Sequence, residues 1–176
     1  MPINAIKVYD SFLELLHLNQ GQRMESLRQI FTRDISENAN FQFLGKLVRP
    51  VKGIDGEYDV EATFSHCITQ DDYDEKGKKI GSRSFDYERA KRLHWIKYHF
   101  IHAQTLGLRV FSYEDKINGR KTIRTYLLNL EKQYVVILDP FRKGTDYYLI
   151  TAYYLNTKAG KKQMRDKFKR KLEHLY

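Results

Sequence analysis

Apolar and polar residues alternate over four short segments in the second half of the chain. This period of two predicts four strands, at residues 108–113, 122–130, 134–138 and 147–154. The segments between them, at 118–119, 131–132 and 140–144, are short enough to be hairpin turns. Strands joined by hairpins run antiparallel, so the pattern predicts a four-stranded antiparallel meander.

Helical spacing marks two further elements, one on each side of the meander. Residues 85–103 have a period of three to four residues and predict a long helix with one apolar stripe, formed by Leu93, Ile96, Phe100 and Ala103. Residues 158–176 predict a C-terminal helix with an apolar face formed by Met164, Phe168, Leu172 and Leu175. The long helix is expected to pack on the meander.

The first 80 residues are less regular. They predict helices at 5–18 and 24–31, a pair of strands at 41–48 and 57–68, and an exposed loop at 70–82. The expected fold class is α+β: a long helix packed on a four-stranded antiparallel β-meander, with N-terminal helices and a β-hairpin and a C-terminal basic helix. The pattern leaves two arrangements open. In one, the N-terminal strand pair extends the sheet; in the other, it forms a separate subdomain. We divide the chain into residues 1–80 and 81–176.

Charge is concentrated at the C-terminal end of the chain. The formal net charge is +9, and residues 158–176 hold eight basic and two acidic side chains, so six of the nine net charges lie there. A basic helix suits a phosphate backbone or an anionic surface, and a solubilising helix end is the simpler alternative. The bases that we expect to contact RNA from this helix are Lys161, Lys162, Arg165 and Lys169.

Several classes of protein are excluded or disfavoured by the sequence. Cys67 is the only cysteine, which excludes an intrachain disulfide and a cysteine-rich zinc site. We find no phosphate-binding glycine loop, no serine nucleophile elbow and no two-metal carboxylate pattern, and we expect no metal and no cofactor. We expect no membrane-spanning segment, because no stretch is apolar enough, and no signal peptide in the first residues. The expected location is the cytoplasm, and delivery into the cytoplasm of a target cell stays open.

Alternation also assigns side chains to faces of the meander. Arg124 and Tyr126 share a face with Leu128, and Thr151 and Tyr153 share a face with Leu149. If the two are the same face, four groups suited to RNA converge. Arginine binds phosphate with two parallel hydrogen bonds, a phenol orients a sugar or stacks on a base, and a hydroxyl holds either. The alternative is structural, because tyrosine and threonine are common in strands.

Cleavage of RNA without a metal also needs an acid–base pair and cations for the transition state. His94 and His99 lie on the long helix and are the expected general bases; His66 lies in the N-terminal strand pair. The same helix supplies three candidate phosphate-binding residues, Arg89, Arg92 and Lys97. Arg120 lies at a hairpin tip and is a weaker candidate for RNA binding.

Four of these segments together resemble a known superfamily. The segments FDYERAKRLHWI (85–96), RTYL (124–127), YVVIL (134–138) and LITAY (149–153) are similar to the bacterial and prophage nuclease toxins grouped as barnase–EndoU–colicin–RelE, or BECR. The similarity covers residues 84–155. It implies an RNase fold of one helix on a four-stranded antiparallel sheet, acting without metal on tRNA or other cellular RNA, and neutralised by a cognate antitoxin or immunity protein.

The resemblance also implies roles for individual residues. Thr151 and Tyr153 correspond in kind to the Thr/Ser and Tyr of the EndoU branch, and Arg124 corresponds to the basic residue that these toxins present on the sheet. RelE-like members use Arg, Lys and Tyr in place of the EndoU histidines, so the general base stays open. Residues 81–176 would then be the nuclease core.

The leading hypothesis is therefore a metal-independent endoribonuclease, contact-dependent or prophage toxin in type, that leaves a 2′,3′-cyclic phosphate. A non-catalytic nucleic-acid-binding or adaptor protein on the same scaffold is the second hypothesis. The third is a module whose basic tail docks on a membrane or on an acidic protein. Under the endoribonuclease hypothesis, the expected partner is RNA, most often tRNA. A cognate antitoxin or immunity protein is the second expected partner, and no membrane binding is expected.

Overall fold

A computed structural model describes residues 3–141 and 144–176, and a six-stranded sheet organises this part of the chain. The strands are β1 (Gln42–Phe43), β2 (Lys46–Arg49), β3 (Thr69–Tyr73), β4 (Lys79–Phe85), β5 (Arg109–Ile117), β6 (Arg120–Asn129), β7 (Tyr134–Pro140) and β8 (Tyr147–Tyr154). The α-helices are α1 (Gln20–Phe31), α2 (Val60–Ile68), α3 (Tyr87–Ala90), α4 (Trp95–Ile101) and α5 (Lys158–Lys169). A 3₁₀ turn covers Ile3–Ile6, and a π-helical turn, Thr32–Ser36, continues α1. The sheet order is β1-β2-β8-β7-β6-β5, and β3 and β4 form a separate hairpin.

The predicted meander is present as β5 to β8, and the fold class α+β is confirmed. Asn118 and Gly119 join β5 to β6 with φ angles of 49° and 79°, the left-handed conformation that a tight hairpin turn needs. Arg142 and Lys143, in the predicted turn between β7 and β8, lie outside the described residues. The prediction of four strands alone was wrong, because the sheet continues past β8.

The extra strands come from the N-terminal part of the chain. β2 pairs with β8 in parallel, with Val48 opposite Tyr147, and β1 pairs with β2 through a two-residue turn. The Arg49 Nε atom lies 2.8 Å from an Asp146 carboxylate oxygen and fastens the same junction. Of the two arrangements left open, the sheet is extended, although by strands that both come from residues 42–49.

Most of residues 57–68 form a helix, Val60–Ile68, so the prediction of a strand over this segment was wrong. The alternation of Val60, Ala62 and Phe64 resembles a strand, but the buried positions include Phe64, Cys67 and Ile68, which recur at helical spacing. The Asp59 side chain caps the helix by accepting a hydrogen bond of 2.7 Å from the Ala62 N–H. The apolar run therefore forms α2.

The long helix predicted at 85–103 is broken, and its N-terminal boundary was wrong. Phe85 ends β4, and Asp86 caps the single turn of α3 by accepting from the Arg89 N–H at 3.0 Å. Bonds of the 3₁₀ type then join Arg92 N to Arg89 O and Leu93 N to Ala90 O, before α4 begins at Trp95. The tight turn reorients the chain, so residues before and after it face different neighbours.

Two other N-terminal predictions were wrong in type. Beyond the 3₁₀ turn, residues 7–19 are irregular rather than helical, with Leu13 and Leu15 buried while Leu16 is 77% exposed. Residues 70–82, predicted as a loop, belong to the β3–β4 hairpin, which turns through Gly77 at a φ of 75°. The second N-terminal helix is confirmed as α1, whose first turn is closed by a capping box between Asn19 and Gln22.

Each face of the sheet is covered by helices. The main core lies under α1, α2 and α4 and includes Leu27 and Phe64 from the first 80 residues together with Ile96 and Leu149 from the rest. Residues from both sides of the predicted division at residue 80 therefore share one core. The division itself stays a prediction. The opposite face is covered by α5.

The C-terminal helix docks through Met164 and Phe168, as expected. The predicted C-terminal end of this helix, at residue 176, was wrong. Met164 is buried, and the Phe168 ring packs edge-on against Phe111 with centroids 5.3 Å apart. The helix ends at Lys169, and Leu175 is exposed beyond it.

Candidate active site

A cleft of about 550 Å³ opens between the β3–β4 hairpin and residues from all four strands of the meander. Four of the predicted site residues line it, contributed by α3, β6 and β8: Arg89, Arg124, Thr151 and Tyr153. Three further basic residues that the sequence did not mark as functional also line it, from α2 and β4: His66, Lys79 and Arg83. Asp71 is the single carboxylate that lines the cleft among the described residues. The cleft is therefore strongly cationic.

A bulge in β8 sets the direction of Thr151 and Tyr153. Ile137 pairs with Thr151 whereas the next residue, Leu138, pairs with Leu149, so Ile150 is the extra residue. Leu149 packs in the main core, and Tyr153 packs in the core under α5. Thr151 and Tyr153 do share a face, as predicted, but the prediction that Leu149 shares it was wrong because simple alternation ignores the bulge.

Thr151 and Arg89 together hold the C-terminal end of α2. The Thr151 hydroxyl donates a hydrogen bond to the His66 carbonyl oxygen at 2.7 Å, and Arg89 Nη1 donates to the same oxygen at 2.8 Å. Arg89 Nη1 also donates to Thr151 Oγ1 at 3.1 Å. The last carbonyls of a helix have no partner within the helix, so this contact satisfies one of them. Its consequence is that the His66 residue is fixed against β8.

The hydroxyl of Thr151 therefore gives a test of this anchor. We expect Thr151→Val to destabilise the protein by about 1 kcal/mol, because a buried acceptor loses one donor. Thr151→Ser keeps the hydroxyl and should retain wild-type stability in urea unfolding. Equal stability of the two variants would mean that the hydroxyl does not hold α2.

His66 is the histidine that the fold brings to the cleft. Burial and the neighbouring Arg83 guanidinium lower the pKa of His66 below its usual value, although Asp71 acts in the opposite direction. The imidazole is therefore neutral at neutral pH and can accept a proton. Arg83 is itself fixed, since its Nε donates to Thr69 Oγ1 at 2.8 Å and it pairs with the Asp71 carboxylate.

Tyr153 presents a protonated phenol. Burial raises the pKa of Tyr153, and the positive charges of Arg89 and Arg124 offset only part of this effect. The Arg89 guanidinium carbon lies 5.2 Å from the centre of the Tyr153 ring and packs over it. A phenol that keeps its proton can donate a hydrogen bond or a proton to a bound group.

Arg124 is a cleft cation with unused hydrogen-bonding capacity. Its Nε atom is buried and has no hydrogen-bond partner among the described residues, and the same holds for Arg89 Nε, although that atom lies 3.5 Å from an Asp86 carboxylate oxygen. Asp139 follows Leu138, the partner of Thr125 in the next strand, and burial raises the pKa of the Asp139 carboxyl while the Arg124 charge acts to lower it. Buried arginine nitrogens are normally paired, so this donor suits an anion bound in the cleft.

The two histidines predicted as general bases lie elsewhere. His94 is buried, with Nε2 3.3 Å from the Val8 carbonyl oxygen. His99 is fully buried between the Trp95 carbonyl and the Asn129 amide, and burial lowers its pKa to about 4. Both predictions were wrong in location, because the break before α4 turns this helix into the core. They are core histidines.

Tyr126 was also placed wrongly in the site. Its hydroxyl is buried under α5, where it donates to the Asp115 carboxylate and accepts a hydrogen bond of 2.8 Å from Lys167 Nζ. Burial and the Asp115 charge raise its pKa well above the usual value. Although Tyr126 and Arg124 share a strand face, the ring lies two residues further along β6, beyond the cleft and within the second core.

Apart from Arg89, which lines the cleft, the predicted RNA-binding cations divide into two groups. Arg92 is buried and pairs with Glu88, and Lys97 lies 3.4 Å from Asp34, so neither lines the cleft. Exposed cations lie at the β5–β6 turn and along α5: Arg120, Lys162, Arg165 and Lys169, with Lys161 partly exposed. A smaller depression of about 150 Å³ shares Arg89 and Tyr153 with the cleft and reaches Thr157, the residue that caps α5.

Neither a metal site nor a membrane span is found in residues 3–141 and 144–176. No group of three or more histidine, cysteine or acidic side chains is placed to hold a metal ion there. None of the helices in this part is long and apolar enough to cross a membrane.

Comparison with known proteins does not assign the chain. No family model matches it, and no match was found among curated proteins or among solved structures. The BECR resemblance therefore stays a prediction from short segments of sequence, and the chemistry of the cleft carries the argument for function.

Proposed function

We propose that the protein is a metal-independent endoribonuclease that cleaves cellular RNA, with tRNA as the expected target. The observation that carries the proposal is the composition of the cleft. It holds a histidine with a lowered pKa, a tyrosine with a raised pKa and an arginine with an unpaired buried donor. Groups with opposed proton affinities in one site are the pattern of general acid–base catalysis.

The proposed reaction uses these groups together with Arg83, which lines the same cleft. His66 removes the proton from a ribose 2′-hydroxyl, and the 2′-oxygen attacks the adjacent phosphorus. The bond from phosphorus to the 5′-oxygen breaks, and Tyr153 gives its proton to that leaving oxygen. The products are a 2′,3′-cyclic phosphate and a 5′-hydroxyl end. Arg124 and Arg83 stabilise the charge that builds on the phosphate oxygens during the attack.

Other residues support this chemistry without touching the reacting atoms. Thr151 and Arg89 keep the end of α2 against β8 and so position His66. The exposed bases of α5 extend the cationic surface beyond the depression at Thr157, which would add affinity that falls steeply with salt. Action in the cytoplasm and restraint by a cognate antitoxin or immunity protein belong to the proposal through the BECR resemblance alone.

The direct test is cleavage of purified tRNA and total RNA in EDTA. Wild type should give discrete fragments with cyclic phosphate ends. Arg124→Ala should cleave about 10²–10³-fold more slowly, because one donor to the transition state is lost. Tyr153→Phe should lose a comparable amount through the missing proton.

Lys116→Ala is the matched control, because Lys116 is an exposed strand cation outside the cleft. It should cleave at the wild-type rate. If wild-type protein leaves RNA intact but binds it in a salt-sensitive way, the nuclease proposal is wrong and the hypothesis of a non-catalytic RNA-binding protein takes its place. Fragments that need added metal would also contradict the proposal.

A further inference from the structure

The β3–β4 hairpin carries an exposed tyrosine at the rim of the cleft. Tyr73 is 61% exposed and lines the cleft together with Lys79, its partner across the hairpin. Among the described residues no aromatic ring and no cation packs on the Tyr73 ring. The ring thus offers a flat apolar face to whatever enters the cleft.

An irregular register puts a lysine opposite Tyr73 in the hairpin. The pairing moves from Asp71 opposite Arg83 directly to Tyr73 opposite Lys79, so β4 has two more residues than β3 in this interval. In regular pairing Tyr73 would lie opposite Gly81, which instead adopts a φ of 84° in the extra segment. The distortion replaces a glycine by a lysine at the position facing the tyrosine.

The hairpin therefore combines an aromatic face with two cations. Lys79 Nζ lies 2.9 Å from an Asp71 carboxylate oxygen, and Arg83 pairs with the same carboxylate. Of the hairpin residues that line the cleft, two are cations and one is a carboxylate, and the rest of the lining adds Arg89 and Arg124. An aromatic platform beside an excess of positive charge matches an unpaired nucleotide, which has a planar base and a flanking phosphate.

We propose that Tyr73 stacks on a nucleobase next to the scissile phosphate and that Lys79 holds a flanking phosphate. The inference rests on the proposed function for the identity of the ligand as RNA. It specifies single-stranded RNA, because a base within a duplex cannot leave the stack to reach the ring without unpairing. Loops and single-stranded ends are then the substrates, and a continuous duplex is not.

Binding to an uncleavable oligonucleotide tests the subsite apart from catalysis. Methylation of every 2′-hydroxyl of a short single strand prevents attack on the phosphate. Tyr73→Ala should bind this strand about ten-fold more weakly, the order of magnitude of one lost base–aromatic stack. Tyr73→Trp should bind as wild type does. Ile80→Ala, at a 57% exposed position of the same hairpin that does not line the cleft, should leave binding unchanged.

A series of strands with one abasic position each identifies the stacked base. Wild type should lose affinity at one position, and Tyr73→Ala should be insensitive to that same position. Equal binding by Tyr73→Ala and wild type, or an equal loss on every strand, would overturn the subsite. If the protein cleaves RNA but its binding does not depend on that base, the subsite proposal is wrong and the nuclease proposal stands. If binding depends on the base but no RNA is cleaved, the nuclease proposal is wrong and the subsite proposal stands.

Discussion

Substitution of His66 by alanine is expected to slow RNA cleavage by about 10²–10⁴-fold, the range that a general base contributes. The carbonyl oxygen that Thr151 and Arg89 hold belongs to the backbone, so the variant keeps the anchor of α2. Loss of rate should therefore come without loss of stability in urea unfolding. Rates on a fixed tRNA substrate, measured with enzyme in excess, report the chemical step.

His17→Ala is the matched control, because His17 is exposed in the irregular N-terminal segment. The pH profile gives a second readout. A base works only when neutral, and burial and Arg83 lower the pKa of His66, so the wild-type rate should fall with decreasing pH at a midpoint below the usual 6.5. A midpoint above 6.5, or an active His66→Ala protein, would remove His66 from this role.

The second large effect is expected on stability, at Lys167 of α5. Lys167 Nζ pairs with Asp115 and donates to the Tyr126 hydroxyl, and the Lys167 and Asp115 side chains are 13% and 12% exposed. Lys167→Ala leaves the Asp115 charge almost buried without its cation. Breaking such a pair from one side costs about 3 kcal/mol, which should appear as a lower midpoint of urea unfolding.

Lys169→Ala removes an exposed lysine from the same helix and should change stability by less than about 0.5 kcal/mol. A double variant separates charge from packing. Lys167→Met with Asp115→Asn should recover part of the loss, since the amide is neutral and still accepts from Tyr126. Equal stability of the Lys167 and Lys169 single variants would show that the buried network does not hold α5.

The strands of the meander could be predicted because their environment is uniform. β7 is almost entirely buried, and the Asn118–Gly119 turn has a sequence that fixes its own conformation. The helix predictions that were wrong concern segments whose structure depends on contacts with residues distant in sequence. Phe85 belongs to a strand because Thr69 pairs with it, and no local pattern reports that partner. The pairing of β2 with β8 is equally invisible, because it joins segments almost one hundred residues apart.

The residues of the cleft that could be predicted are mainly those on the alternating strands of the meander. Arg124, Thr151 and Tyr153 lie on predicted strands, and Arg89 lies on a segment predicted to be helical. His66 was not predicted to lie in the site because α2 was taken for a strand.

The cations of the hairpin were missed because residues 70–82 were taken for a loop. One signal was present in the sequence. Lys79, Gly81, Arg83 and Phe85 occupy alternate positions after Gly77, a pattern that is compatible with the second strand of a hairpin.

The parallel contact between β2 and β8 has a consequence for the order in which the protein matures on the ribosome. Synthesis proceeds from the N-terminus, so β2 and α2 emerge long before Tyr147 and Thr151, on which they depend. Until then the end of α2 has no surface to rest on, and His66 has no fixed position. Under the proposed function, catalytic competence would therefore arise late, when β8 enters the sheet. A nascent chain stalled before this strand would lack the anchor that positions His66.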